Sequence, residues 1–275
     1  MDFKTYQSIQ AINATAIKAG VVSMKHMRAV MTGEEQEETA AMRWGSLVHM
    51  AILEPESFIG SVAIYDGVKR GKAWDDFKTA NISLDIITEG ENDRLTAIMA
   101  SVHSNKAASD LIDNTLHEVT ARSNDATTGP AKARLDCFST ILGVVDLKTT
   151  ARIQPELFAK QFVGMGYDLQ VGWYCDTARQ HYELDAMPAC HVIAVESKPP
   201  YDVAVYRVPD MVINVGKSKA RKIAERYRQC EVAGIFPGVM DGVKELVMPA
   251  WYGEKDVMEA FAEMSASALF GDEVE

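Results

Sequence analysis

The sequence predicts a mixed α/β domain in which helices pack against a central β-sheet. Three observations predict this class. Apolar residues recur with helical spacing through most of the N-terminal third. Short segments rich in β-branched residues then follow one another between residues 116 and 150. After them, helical and strand-like segments alternate to about residue 230. The 275 residues are 47% hydrophobic, which is enough for one large globular domain.

Two helical regions open the chain. "TYQSIQAINATAIKAGVVSMKHMRAVMTG" has helical periodicity, with Asn13 or Thr15 as its N-cap. "AAMRWGSLVHMAILEP" is apolar on most sides, so we expect a buried helix that ends before Pro55. Between them, "GEEQEET" is a solvated turn.

Residues 61–80 combine short strands and loops, and "GVKRGKAWDDFK" is a basic loop that enters a helix. "TEGENDRLTAIMASVHSNKAASDLID" predicts one amphipathic helix, because Thr88 is a suitable N-cap and acidic residues fill the first turn.

The predicted sheet begins with "LHEVTAR", followed by "KARLDCF" and "TILGVVDLKTT" with a short connection between them. "PELFAKQFVGMGYDLQVGWYCDTARQHY" predicts one or two helices, and "CHVIAVES" and "PPYDVAVYRVP" are two more strands. A basic helix follows from Val215 to about Cys230.

We therefore expect a single domain over residues 1–275. It comprises a helical part over about 1–60, a catalytic sheet core over about 115–210 and a peripheral acidic tail over about 250–275.

Charge and cysteine content exclude several classes of function. The formal net charge of −11 disfavours a nucleic-acid binder, although residues 216–228 carry six basic residues against one acidic residue. Carboxylates that bind a metal would themselves add negative charge. The four cysteines form no C-x-x-C pair, so neither a zinc ribbon nor an iron–sulfur cluster is expected. No signal sequence or apolar run of roughly 20 residues is visible, so we expect a cytoplasmic protein without a membrane partner.

Side-chain direction in "KARLDCFSTILGVVDLK" indicates a metal site. Residues two apart in a strand share a face, so Asp146 and Lys148 point together. If the two strands form a hairpin, Asp136 can meet Asp146 across it. Two adjacent carboxylates repel each other unless a cation lies between them, and hard oxygen ligands suit Mg²⁺, with Mn²⁺ as a substitute. Lys148 could then hold a water or steady the charge of a phosphate.

An acid-x-Lys triplet alone is weak evidence, since the chain contains four of them. The strongest rival is Glu196 with Lys198, which also follows a strand and has Asp185 upstream. Asp185, however, lies beside Met187-Pro188, in a context more typical of a helix end.

Further polar residues accompany the acids. Gln170 and Tyr174 share one helical face, where they could brace a metal site, and His49 lies one turn after Gly45 in the buried helix. Each residue also has a purely structural interpretation. The acids could be strand-end residues paired with Arg134 and Lys148, His49 could be a satisfied core histidine, and Gln170 and Tyr174 could only pack. The role of Glu118 stays open: it could be a cross-strand ion-pair partner of Arg134 or an additional residue of the site.

In combination, His, Asp, Asp-x-Lys and Gln-x-x-x-Tyr in this order resemble the PD-(D/E)XK nucleases of the RecB-like superfamily. The sequence is most similar to the PDDEXK-like domain of exodeoxyribonuclease VIII (RecE-type) and its phage or prophage relatives. The stretches "AMRWGSLVHMAILEPESF", "RGKAW", "KARLDCF", "VVDLKTT" and "GYDLQVGWYCD" carry the likeness as far as about residue 210. The implied fold is the PD-(D/E)XK core, a central mixed β-sheet flanked by helices.

The resemblance also implies roles for individual residues. His49, Asp136, Asp146 and the backbone carbonyl of Leu147 would be metal ligands, and Lys148 would be the catalytic lysine. Gln170 and Tyr174 would support the site and the DNA backbone.

The implied activity is Mg²⁺-dependent 5′→3′ digestion of linear double-stranded DNA, which leaves 3′ single strands for a single-strand annealing recombination protein. A ring-shaped homo-oligomer would enclose the DNA, and we expect its inner surface to be basic. The candidate DNA-binding cations are Lys69, Arg70, Lys72, Arg134, Lys219 and Arg221. Three alternatives stay open: an endonuclease of the same fold, a binding module that grips DNA or a recombination protein without cutting, and a sheet protein without phosphate chemistry.

Overall fold

The computed structural model describes residues 3–34 and 39–248. It divides the chain into two units, residues 1–239 and residues 240–275. The described part of the second unit, residues 240–248, contains neither helix nor strand. The predicted acidic tail lies outside the described residues, and the prediction of a single domain stays a prediction.

Five helices open the first unit: α1 (Phe3–Ser8), α2 (Ala14–Val22), α3 (Met24–Thr32), α4 (Ala40–Leu53) and α5 (Pro55–Ser61). The Asn13 side chain caps α2 by accepting a hydrogen bond from the Ala16 amide at 2.8 Å. Ser23 ends α2 and caps α3, so the helical region predicted over residues 5–33 consists of parts of three helices, α1, α2 and α3. Pro55 ends α4 as predicted and also begins α5, because proline suits the first turn of a helix.

A small lobe follows, consisting of β1 (Val62–Tyr65), α6 (Lys72–Ala80) and β2 (Asp85–Thr88), with β1 and β2 paired in parallel. The capping box at Thr88 and Glu91 then begins α7 (Glu89–Ser104). The single helix predicted here is two, because Asn105 interrupts it and caps α8 (Lys106–Asp113).

The central sheet has five strands: β3 (Leu116–Asp125), β4 (Gly129–Ser139), β5 (Gly143–Thr150), β6 (Cys190–Glu196) and β7 (Val203–Val208). They lie side by side in chain order. Only β5 and β6 are parallel, since α9 (Pro155–Gly164) and α10 (Tyr167–His181) form the crossover between them. The last described helix is α11 (Asp210–Ala233). The prediction of a central mixed sheet flanked by helices is confirmed.

Successive residues of β5 face opposite layers of helices. Val145 and Leu147 pack in one cluster with residues of α4 and α7, such as Leu47. Val144 packs in the other cluster with Val171 and further residues of α9, α10 and α11. The sheet is therefore covered on both faces, and β5 runs through the middle of the buried core.

The pairing between β4 and β5 is short. It comprises Cys137–Val145, Phe138–Val144 and Ser139–Gly143, after which the strands separate. Farther along the free edge of β4, Ile12 forms a parallel bridge with Ala131. The edge of β4 therefore opens between the end of the β5 pairing and this bridge.

The Lys132 ammonium fastens the N-terminal segment to β4. It is buried and donates to the carbonyl oxygens of Tyr6, Gln7 and Ile9 at 3.0, 3.2 and 2.8 Å. These carbonyls lie at the C-terminal end of α1, where a cation is favoured.

Helices α10 and α11 cross with their backbones in close approach. A Cβ atom on Gly172 would lie 2.1 Å from the Lys217 amide nitrogen, and one on Gly216 would lie 1.9 Å from the Asp168 carbonyl oxygen. The two glycines thus fix how closely α10 approaches α11.

We predict that Gly216→Ala lowers the free energy of unfolding by about 1–3 kcal/mol, because the added methyl group forces two packed helices apart. Urea unfolding followed by circular dichroism measures the change. Gly90→Ala is the matched control, since the Cβ position at that helical glycine is open. A Gly216→Ala variant as stable as Gly90→Ala would contradict the close crossing.

Candidate metal centre

At Asp136, strand β4 pairs with neither of its neighbouring strands. On one side, the pairing with β5 ends at Cys137–Val145, one residue before Asp136 would pair with Asp146. On the other side, the pairing with β3 skips the position at which Asp136 would face Glu118. Glu118 has a φ of 50°, a left-handed conformation that is uncommon for a residue other than glycine. The interruption of both strand pairings leaves room beside Asp136 for side chains from β3 and α4.

Three side chains converge in this gap. His49 from α4, Glu118 from β3 and Asp136 from β4 each offer one metal-ligating atom, and these atoms lie within 4.8 Å of one another. The His49 Nδ1 atom is 3.6 Å from Asp136 Oδ2. Two carboxylates and an imidazole in partly buried positions suit a divalent cation. The residues present therefore fit a divalent metal ion. The cluster contains the predicted ligands His49 and Asp136 together with Glu118, whereas the predicted ligand Asp146 is not one of its three members.

The backbone of β5 contributes to the same gap. The Leu147 amide donates to Asp136 Oδ2 at 2.8 Å. The amide and carbonyl groups of a strand residue point to the same side, so the Leu147 carbonyl also lies on the Asp136 side of β5.

Asp146 and Lys148 form a buried ion pair beside the cluster. Lys148 Nζ lies 2.8 Å from Asp146 Oδ1 and 2.7 Å from Asp146 Oδ2, and the exposed fraction of the Asp146 side chain is 1%. The Gln170 amide of α10 donates to Asp146 Oδ1 at 3.1 Å. The buried Asp146 Oδ2 atom has no partner among the described residues besides the Lys148 ammonium. A carboxylate oxygen can accept more than one bond, so this atom keeps capacity for a cation.

The electrostatics of the site favour an added cation. Burial raises the pKa of Asp146, and the Asp136 carboxylate raises it further against the opposing effect of Lys148. Burial and then Asp136 likewise raise the pKa of Glu118. Burial would lower the pKa of Lys148, but the two aspartates outweigh it and the net shift is upward. A divalent ion would relieve the repulsion among these carboxylates.

The structure brings together most of the residues that the sequence singled out. Tyr174 shares a cleft of about 1070 Å³ with His49, Glu118 and Asp136, and its pKa is raised by burial and then by Asp136 and Asp146. Glu118, which the sequence left open, both belongs to the cluster and pairs with Arg134. Sequence analysis missed Lys18 of α2, whose ammonium donates to Gln170 at 3.0 Å, because a single helical lysine carries no signal.

The predicted DNA-binding cations are mostly engaged within the chain. Lys219 pairs with Asp168, and Arg221 pairs with Asp125 and Asp176. Lys69 lies 3.7 Å from Glu91. Arg134 pairs with both Glu54 and Glu118. Arg70 and Lys72 are exposed, at the entry to α6.

The rival triplet forms no such site. Asp185 and Lys198 are exposed, and Glu196 accepts a hydrogen bond from the Asp202 backbone amide in the turn before β7. Among the described residues, neither acid belongs to a cluster able to hold a metal.

Residues 13–243 match a family model described as "PDDEXK-like domain of unknown function (DUF3799)". No curated protein matches the sequence. Among the described helices, none has the length and apolar character needed to span a bilayer.

One of the solved structures that match this chain shares its fold. A crystal structure described as "Putative exonuclease" from Eubacterium rectale is 14% identical, with a TM-score of 0.64 over 95% of this chain and 98% of that chain. LHK-Exo in complex with dAMP is 12% identical, with a TM-score of 0.37 over 82% and 94% of the two chains. A phage-related exonuclease from Haemophilus somnus 129PT is 11% identical, with a TM-score of 0.35 over 82% and 96%.

We predict that Mn²⁺ raises the melting temperature of the protein and that EDTA reverses the rise. Binding to the folded state alone adds about 2.7 kcal/mol when the free ion is at about 100 times its Kd. Asp136→Asn should abolish the rise, because it removes a ligand charge, whereas the exposed Asp185→Asn should keep it. A full rise in Asp136→Asn would place the ion elsewhere.

Proposed function

The chain belongs to this PDDEXK-like family, and from that premise we propose that it is a Mg²⁺-dependent exodeoxyribonuclease acting on linear double-stranded DNA. One observation carries the proposal. The cluster of His49, Glu118 and Asp136 adjoins the buried Asp146–Lys148 pair at the point where β4 and β5 separate. A metal-ligating cluster beside a buried acid and lysine is suited to phosphodiester hydrolysis, because the metal and the ammonium can both offset charge on a phosphate.

The residues that would hold the ion are His49, Glu118 and Asp136, together with Asp146 and the Leu147 carbonyl. When bound, the ion would offset negative charge on the phosphate and make a water more acidic. The Lys148 ammonium, held by Asp146, would donate a hydrogen bond to the attacking water or to a phosphate oxygen. The two aspartates raise the pKa of Lys148 despite its burial, which favours the charged form of its ammonium.

The finer features of the proposal rest on the RecE-type resemblance. We propose 5′→3′ polarity, with the 3′ single strands passed to an annealing recombination protein in the cytoplasm. The exonuclease description of the Eubacterium rectale protein agrees with a reaction that starts at the end of a nucleic-acid strand.

We further propose a ring-shaped homo-oligomer. The chain has a net charge of −11, and several of its cations are taken up by internal ion pairs. Tight phosphate contacts alone would therefore hold DNA weakly. A ring that encloses the duplex would retain it without such contacts.

We predict that the wild-type protein degrades linear duplex DNA in Mg²⁺ and not in EDTA, and that Lys148→Ala slows cleavage at least ~100-fold. A gel assay with labelled duplex measures the rate. Lys198→Ala, in the exposed rival triplet, should cleave at the wild-type rate. DNA that is bound but never cut would favour the binding module, and an active Lys148→Ala variant would show that the site is misplaced.

We predict that covalently closed circular DNA stays intact while the same DNA after linearisation is degraded, because the proposed reaction begins at an end. Duplexes labelled at either the 5′ or the 3′ end give the polarity, and early release of the 5′ label is expected. Asp146→Ala is the inactive control. Nicking or linearisation of the closed circle would identify an endonuclease of the same fold instead.

A further inference from the structure

Lys18 is a half-buried cation on α2 that reaches the edge of the candidate site. Its ammonium lies 5.6 Å from the centroid of the Tyr167 ring, and the Lys148 ammonium lies 5.1 Å from the same centroid. One tyrosine ring therefore contacts two cations, which suits the negative face of an aromatic ring.

The surroundings of Lys18 disfavour the charged form of its side chain, unlike those of a solvent-exposed surface lysine. It forms no ion pair with any carboxylate among residues 3–34 and 39–248. Burial, and then the neighbouring Lys148, lower its pKa to about 8. Its ammonium instead donates to the Gln170 Oε1 atom at 3.0 Å.

This hydrogen bond determines the orientation of the Gln170 carboxamide. A lysine only donates and an ionised carboxylate only accepts, whereas a carboxamide has one end of each kind. With Oε1 toward Lys18, the amide nitrogen points at Asp146 and donates to it at 3.1 Å. The reverse orientation would place donor against donor at Lys18 and oxygen against oxygen at Asp146.

A continuous series of hydrogen bonds thus runs from α2 to the candidate catalytic lysine. Lys18 holds Gln170, Gln170 holds Asp146, and Asp146 holds Lys148. Residues 18 and 170 are far apart in the chain, so the contact requires α2 to be correctly packed on α10.

We propose that Lys18 is a positioning residue that fixes the Gln170 carboxamide so that it holds Asp146 and Lys148 in their reactive arrangement. This role rests on the proposed nuclease function of the same site. Lys18 acts through Gln170 and not on the substrate.

A double-mutant cycle on cleavage of linear duplex in Mg²⁺ tests the proposal. Hydrogen-bond partners of ligating carboxylates are typically worth 10–100-fold in activity, so Lys18→Met and Gln170→Ala should each lower kcat by about 10-fold with little change in KM. The double variant should be no slower than Gln170→Ala alone. Lys18→Arg keeps a donor and should restore part of the rate.

Lys25→Met is the matched control, because Lys25 is an exposed lysine on the adjacent helix α3, and it should cleave at the wild-type rate. If the effects of Lys18→Met and Gln170→Ala multiply, the two residues act independently and the proposal is wrong. If Lys18→Met raises KM alone, Lys18 acts on substrate binding and the proposal is also wrong. Unchanged kcat in Lys18→Met also overturns it.

Urea unfolding midpoints of the same four proteins of the cycle give a readout that does not depend on activity. A real contact predicts non-additive midpoint shifts for Lys18→Met and Gln170→Ala, and additive shifts would contradict it. If the wild-type protein cleaves no DNA, the proposed function is wrong. The unfolding midpoints would still show whether Lys18 and Gln170 form a stabilising contact.

Discussion

The separation of β5 from β4 after three residue pairs is the constraint on which the site depends. If the ladder had continued, Asp136 and Asp146 would face each other directly at the short spacing of antiparallel strands. Because it stops, the Leu147 amide loses its strand partner and is satisfied by the Asp136 carboxylate instead. The opposite edge of β4 is interrupted at the same level by the left-handed backbone of Glu118. Two defects at one position of the sheet thus create a polar gap lined by carboxylates inside an otherwise regular α/β core.

Burying these charges is costly unless each has a partner. The arrangement is a network rather than isolated pairs: Arg134 neutralises Glu118, Lys148 neutralises Asp146, and Leu147 and His49 face Asp136. Raised pKa values at Asp146 and Glu118 show that the compensation is incomplete. A divalent ion at the cluster would add the positive charge that these carboxylates lack.

The period-2 alternation of strands was sufficient to predict that Asp146 and Lys148 point together, because side-chain direction follows from local sequence. The predicted cross-strand meeting of Asp136 and Asp146 did not follow in the same way, since the ladder ends one pair earlier and Asp136 contacts the Leu147 amide. The same reasoning could not assign Glu118, since its place in the site follows from a positive φ and an interrupted ladder that no local pattern indicates. Lys18 was missed because its contact with Gln170 depends on helix packing across most of the chain. Strand β2 was missed for a related reason, because within residues 3–34 and 39–248 it pairs with the short β1 alone.

Two cations of the basic helix α11 that were predicted to bind DNA also form ion pairs with α10. Lys219 and Arg221 pair with Asp168 and Asp176, which lie on α10 on either side of Gln170 and Tyr174. Gly216 packs against the α10 backbone at Asp168. Ion pairs and a close glycine contact therefore bind α11 to the helix that supplies two residues of the site. A Lys219 or Arg221 substitution would reach the site through α10, so reduced DNA cleavage in such a variant would not by itself place α11 on the DNA.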